Sequence, residues 1–183
     1  MPDKIPPNSP VDGGNTAPAN PPYRAAIITA SDKGSQGERA DTSGPLIREI
    51  VEAAGFTVES YSLLPDDQKL LEKEMRRICD RGLADLILTT GGTGFSPRDR
   101  TPEATLAVAE RLVPGIAEAM RFQSLGITKR AMLSRAVSVI RKKTLIINLP
   151  GSPKAVRENL EYVITGLRHG LDILTGRDGE CAR

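Results

Sequence analysis

The residues Thr90-Gly91-Gly92-Thr93-Gly94, followed after three residues by Arg98 and Asp99, mix two tendencies. Glycines let a backbone approach an anion closely and adopt turns closed to other residues. A carboxylate in the same loop would repel that anion unless a Mg²⁺ lay between it and the phosphate oxygens. Two other places repeat part of the pattern. One runs from Ser31-Asp32 to Asp41-Thr42-Ser43-Gly44-Pro45, and the other is Asn148-Leu149-Pro150-Gly151-Ser152-Pro153. Each joins small residues to a hydroxyl residue and a proline near a helix start. Thr101 before Pro102 and Ser152 before Pro153 read as helix caps with proline in the first turn. Such starts expose free N–H groups and the positive end of a helix dipole, which suits an anion. The turn Leu64-Pro65-Asp66-Asp67 adds two more acids.

Taken singly, each feature has a plain structural reading. Gly91-Gly92-Thr93-Gly94 fits neither the dinucleotide fingerprint nor the Walker A pattern. Asp66 or Asp67 alone is a helix cap, Asp41 alone a turn residue, and Gly151-Ser152-Pro153 an ordinary helix start. Their joint position decides the reading. If the strands before them are parallel, all these junctions lie on the carboxyl edge of the sheet, where α/β proteins bind ligands. Glycine loops, hydroxyls, Arg98 and the acids Asp32, Asp41, Asp66 and Asp99 then share one neighbourhood, and a phosphate-bearing ligand is favoured.

The elements needed to do this are legible. Apolar runs predict strands over 25–29, 58–63, 85–89, 134–140 and 144–148. Helical spacing predicts helices over 44–54, 66–81, 102–111, 114–124 and 153–174. The alternation implies α/β architecture, three layers α/β/α around a largely parallel central sheet. The run Leu145-Ile146-Ile147 has no polar alternation, as expected of a strand covered on both faces. Residues 1–22 hold seven of the fourteen prolines and are expected to form a disordered tail. The domain is expected to span 23–175, with 176–183 as a C-terminal tail.

Composition removes several function classes. A net charge of +2 and 3% aromatic residues give no basis for a nucleic-acid partner. No run is apolar and long enough for a membrane helix, and the N-terminus lacks the apolar region of a secretory signal. Cys79 and Cys181 have no metal or redox spacing, which suits a reducing cytoplasmic setting. His169 stands alone, so neither a Ser-His-Asp nor a Cys-His arrangement is on offer. Phosphoryl or nucleotidyl transfer needs no protein nucleophile and works by positioning and charge neutralisation.

The full set of motifs resembles one family. Thr90 to Gly94, Pro97-Arg98-Asp99 and Thr101-Pro102-Glu103-Ala104-Thr105 are similar to the molybdopterin adenylyltransferases of molybdenum-cofactor biosynthesis, with Ser31-Asp32, Asp41, Leu64-Pro65-Asp66, Met132-Leu133-Ser134-Arg135 and Asn148 to Pro153 extending the likeness in order. The resemblance implies a nucleotidyltransferase that joins molybdopterin to the adenylyl group of Mg-ATP and releases pyrophosphate. It implies Asp66 and Asp99 as the catalytic and Mg²⁺-holding acids. It implies substrate contacts at Ser31, Asp41, Gly91, Gly92, Thr93, Gly94, Arg98, Ser134, Arg135, Asn148, Pro150, Gly151 and Ser152. It also implies a homotrimer that hands its product to a molybdenum-insertion protein. Arg100 departs from the family, which often has an apolar residue there. Relatives that bind molybdopterin without adenylylating it are the alternative. A pyrophosphatase or nucleotide hydrolase on the same fold is a third reading.

Overall fold

The computed structural model describes residues 21–177. The expected tails over 1–22 and 176–183 fall outside the described residues, apart from Pro21, Pro22, Gly176 and Arg177. In chain order the elements are β1 (Tyr23–Ala30), the one-turn α1 (Asp32–Ser35), α2 (Ser43–Ala53), β2 (Phe56–Leu64), α3 (Gln68–Asp80), β3 (Leu86–Thr90), α4 (Thr101–Val108), β4 (Arg111–Leu112), α5 (Pro114–Leu125), a 3-10 turn at Lys129–Leu133, β5 (Ser138–Arg141), β6 (Thr144–Leu149) and α6 (Pro153–Thr175).

The strands form one sheet in the order β2-β1-β3-β6-β5-β4. The first four are mutually parallel, and β5 and β4 complete the sheet antiparallel. The absence of polar alternation in the central strands has the expected cause. Ile27, Leu86, Leu88, Leu145 and Ile147 point to one face, where α2, α5 and α6 cover them. Ile28, Ile87 and Ile146 point to the other, beneath α3 and α4. The face of α6 read from its spacing is the buried one, with Val156, Leu160, Val163, Ile164, Leu167 and Leu171 against the sheet. Each such side chain contributes about 1.5–3 kcal/mol relative to exposure.

Four expectations need correction. The helix after Thr101 ends at Val108, not near residue 111, because Ala109 turns extended and the chain continues into β4 against β5. The strand expected over 134–140 begins only at Ser138. Ser134 closes the preceding 3-10 turn and the Arg135 N–H donates to the Thr93 carbonyl (3.0 Å), so those residues serve loops instead of the sheet. Thr101 does not cap α4: Arg100 occupies the cap position, and the buried Thr101 hydroxyl has no hydrogen-bond partner. The helix expected from residue 66 starts at Gln68, with Asp67 as its cap accepting from the Leu70 N–H (3.0 Å). Ser152 does cap α6, accepting from the Ala155 N–H (3.3 Å).

Asn148 ties the layers together from inside. It is 0% exposed. Its Nδ2 donates to the hydroxyls of Thr89 (2.9 Å) and Thr105 (2.8 Å), and its Oδ1 accepts from the Val137 N–H (3.2 Å). The network joins β3, β6, α4 and the segment entering β5. A buried network truncated at its hub leaves several polar groups unpaired. Asn148→Ala is therefore expected to lower stability by about 2–4 kcal/mol, read as a shifted urea midpoint. A loss below about 0.5 kcal/mol would contradict the structural role.

Candidate active site

Because β2, β1, β3 and β6 run parallel, the chain leaves Leu64, Ala30, Thr90 and Leu149 on one edge of the sheet. The loops that follow enclose a cleft of about 500 Å³. Its walls include Ser31, Asp41, Asp66, Gly91, Gly92, Asp99, Gly151 and Ser152. These residues come from four separate junctions, and the topology alone brings them together.

The loops fit because of what glycine lacks. Gly91 has φ +90°, and a Cβ there would sit 2.2 Å from the Ala30 carbonyl oxygen. Gly151 packs in turn on Gly91, where a Cβ would lie 3.4 Å from the Gly91 Cα. Hydroxyls lock the stack: Thr90 donates to the Pro150 carbonyl (2.7 Å) and Ser43 to the Gly151 carbonyl (2.8 Å).

The four acids differ sharply in what they have left to offer. Both oxygens of Asp41 are engaged, by the hydroxyls of Thr29 (2.6 Å) and Tyr61 (2.5 Å) and the N–H groups of Ser43 (2.9 Å) and Gly44 (3.1 Å). Burial alone would push its carboxyl up; the hydroxyl and N–H donors outweigh it and hold the group below its ordinary value. The same burial, with Asp41 as acceptor, pushes the Tyr61 phenol up to about 12. Asp32 is gripped by the Arg98 guanidinium at both oxygens (2.8 and 3.0 Å), which holds its carboxyl low.

Asp66 and Asp99 are each held by one oxygen only. The Asp32 N–H donates to Asp66 Oδ2 (2.9 Å), and the Asp66 N–H answers to Asp32 Oδ1 (3.0 Å). The Ser96 N–H donates to Asp99 Oδ2 (2.9 Å). Asp66 Oδ1 and Asp99 Oδ1 accept no hydrogen bond among the described residues. Burial, together with the neighbouring carboxylates of Asp32 and Asp99, raises Asp66 above its ordinary value despite the Asp32 N–H. A site that disfavours its own negative charge is one that gains from a cation. No cluster of three or more potential metal ligands exists among the described residues. Two carboxylates completed by ligand oxygens is a manner in which Mg²⁺ binds.

The remaining sequence-derived residues divide by position. Thr93, Gly94, Ser134 and Pro150 line a second cavity of about 290 Å³ on the far side of the glycine loop, with Ser124 and Asn159. Arg135 lines neither cavity. It donates to the carbonyls of Gly94 (2.7 Å) and Asp99 (2.6 Å) and pairs with Glu103, so it fastens the loop that carries Asp99. Arg98 likewise pins that loop to Asp32. Asn148 faces the core and is out of reach of a ligand. Sequence reasoning did not single out Thr29, Tyr61 or Arg39. The first two become visible only once β1, β2 and α2 meet. Arg39 carries a signal, a lone cation between Gly37 and Asp41 in a loop already marked as site-facing.

A glycine-loop α/β sheet with paired carboxylates at its carboxyl edge defines a protein that handles a phosphate-bearing ligand. The chain belongs to a family of that class, the one described as a probable molybdopterin binding domain, which matches residues 26–169. Among its relatives, the molybdopterin adenylyltransferase of Helicobacter pylori J99 is 41% identical over 152 residues, covering 82% of this chain and 86% of that protein. The molybdopterin adenylyltransferase of Escherichia coli K12 is 45% identical over 143 residues, covering 76% and 73%. Among solved structures, the molybdopterin biosynthesis enzyme MoaB of Thermus thermophilus superposes with a TM-score of 0.80 at 51% identity, covering 84% of this chain and 97% of that one.

The raised Asp66 carboxyl has a consequence for stability. A group whose folded value lies above its unfolded value binds protons more tightly when folded, so its ionisation costs stability as pH rises through that window. Asp66→Asn keeps an acceptor for the Asp32 N–H and removes the charge. The unliganded variant is expected to melt above the unaltered chain at neutral pH, with the gain vanishing as pH falls below the ordinary carboxylate range. Thermal unfolding at several pH values checks this; a variant that melts lower at neutral pH would contradict it.

Proposed function

We propose that the protein is a molybdopterin adenylyltransferase: the terminal phosphate of molybdopterin attacks the α-phosphorus of ATP, the new P–O bond forms, the α–β bridging P–O bond breaks, and pyrophosphate leaves. The observation that carries this reading is the pair of half-held carboxylates, Asp66 and Asp99, beside the glycine loop. The names of the relatives support the same chemistry.

The two cavities suit two substrates. The larger, polar one has the size and the hydroxyl and glycine lining for the nucleotide. The smaller one, with Ser134 and Ser124, suits the organic part of molybdopterin. They share the Gly91–Gly94 and Pro150–Ser152 loops, so the reacting phosphates would meet between them. Mg²⁺ held at the free oxygens of Asp66 and Asp99 would supply charge neutralisation between those phosphates. The chain's own residues do the positioning. Asp41 orders the first turn of α2, Arg135 and Arg98 hold the Asp99 loop, and the Asp32 N–H fixes Asp66. Holding two anions in line is worth far more than any single contact, because approach entropy is already lost on binding.

Asp66→Asn and Asp99→Asn are each expected to slow pyrophosphate release from Mg-ATP and molybdopterin by about a hundredfold or more, in a coupled phosphate assay. Turnover within about threefold of the unaltered chain in both would overturn the mechanism.

A homotrimer is part of the same proposal. Phe122 (76% exposed), Leu125, Ile127, Met132 and Leu133 leave a run of apolar side chains uncovered on α5 and the turn after it, a surface that further copies would bury. Sedimentation is expected to give three times the chain mass, and a monomer at micromolar concentration would contradict it. No helix among the described residues is long and apolar enough to cross a membrane. An ATP-consuming reaction supports a cytoplasmic setting, and hand-over of the product to a molybdenum-insertion protein is the natural next step.

A further inference from the structure

The main cleft is poorly supplied with positive charge. Three carboxylates line it, those of Asp41, Asp66 and Asp99, and Arg39 is the single cationic side chain among its described lining residues. A bound triphosphate would add more negative charge than one divalent cation could offset. Arg39 also differs from Arg98 and Arg135. Arg98 is committed to Asp32 and Arg135 to Glu103 and two carbonyls. Arg39 has no carboxylate within ion-pair distance among the described residues, and its one side-chain hydrogen bond runs from Nη2 to the Ser31 hydroxyl (3.2 Å).

Its position is built by the loop. Ser31 caps α1 by accepting from the Gly34 N–H (3.0 Å). Gly37, at φ +77°, then reverses the chain, and the N–H groups of Glu38 (2.9 Å) and Arg39 (3.3 Å) both return to the Lys33 carbonyl. The guanidinium is thereby brought back to Ser31, one residue from the Asp32 N–H that holds Asp66. So Arg39 sits on the Asp66 side of the cleft, while its own exposure sets it at the mouth.

We propose that Arg39 grips the terminal β- and γ-phosphates of ATP, and so sets the preference for a nucleoside triphosphate over a monophosphate. This rests on the adenylyltransferase reading above. On that reading the reacting α-phosphate lies beside the glycine loop between Asp66, whose free Oδ1 faces Gly92, and Asp99. The terminal phosphates then extend from Asp66 toward the mouth, where the guanidinium offers unpaired N–H groups in a planar fork. When the α–β bond breaks, the charge that develops on the departing pyrophosphate falls within reach of the same fork.

The test is calorimetric titration of the full chain with Mg-ATP, Mg-pyrophosphate and AMP, for the unaltered protein, Arg39→Met and Arg39→Lys. Arg39→Met is expected to lose about tenfold to a hundredfold in affinity for ATP and pyrophosphate, with AMP affinity unchanged within about twofold and the melting temperature preserved, because the side chain is exposed. Arg39→Lys is expected to fall between. Unchanged affinity for all three ligands would overturn the proposal and leave the adenylyltransferase reading intact. So would an equal loss for AMP and ATP, which marks a general disturbance of the Ser31 loop. Failure of the unaltered chain to bind ATP or pyrophosphate would overturn both.

Discussion

Everything at the ligand edge depends on a stack of three backbones that leaves no room for side chains. The Ala30 carbonyl, the Gly91 Cα and Gly151 lie one on another at the ends of β1, β3 and β6. A methyl group at Gly91 would collide with main chain, which cannot swing aside as a side chain could. This contact lets the loops after three strands share one floor. The Thr90 and Ser43 hydroxyls then tie the upper loop to the lower. The alternation of strand and helix delivers the loops to the same edge, and the stack turns that edge into a cleft.

On that floor, charge is sorted by hydrogen bonding. Four aspartates sit on one edge, but Asp41 and Asp32 have their oxygens occupied by donors and serve the architecture. Asp66 and Asp99 keep one oxygen each. The cost appears at Asp66, whose carboxyl lies above its ordinary value through burial and its acidic neighbours. Such local destabilisation is a common companion of function, since a site relaxed without its ligand has little to gain from binding it. Arg135 and Arg98 complete the arrangement by holding the Asp99 loop through its carbonyls and through Asp32, and Arg39 is the one cationic side chain among the described residues that line the cleft.

Much of this was legible in the sequence because it is local. The unbroken apolar runs, the glycines and the capped helix starts announce a parallel sheet with loaded loops at its carboxyl edge. What escaped is set by tertiary contact. Thr101 has the spacing of a cap, yet the Gly92 backbone packs on it and Arg100 takes the cap position. Asn148 ends an expected strand and opens a junction read as facing the ligand, yet its partners on β3, α4 and the segment before β5 draw it into the core. Residues 134–137 have strand-like composition but are claimed by the 3-10 turn and by Thr93. β4 and α1 are too short to leave a periodic signal. Which of four aspartates keeps a free oxygen depends on donors up to 66 positions away, such as Arg98 for Asp32, and no spacing rule contains that.

In the proposed reaction the cleft passes the adenylyl group of ATP to a second phosphate and not to water. The most direct measurement is pyrophosphate release by the unaltered full chain in Mg-ATP, with and without molybdopterin. Pyrophosphate is expected only when both are present, in a one-to-one ratio with adenylyl-molybdopterin. Release without molybdopterin, or tight molybdopterin binding with no release at all, would contradict it.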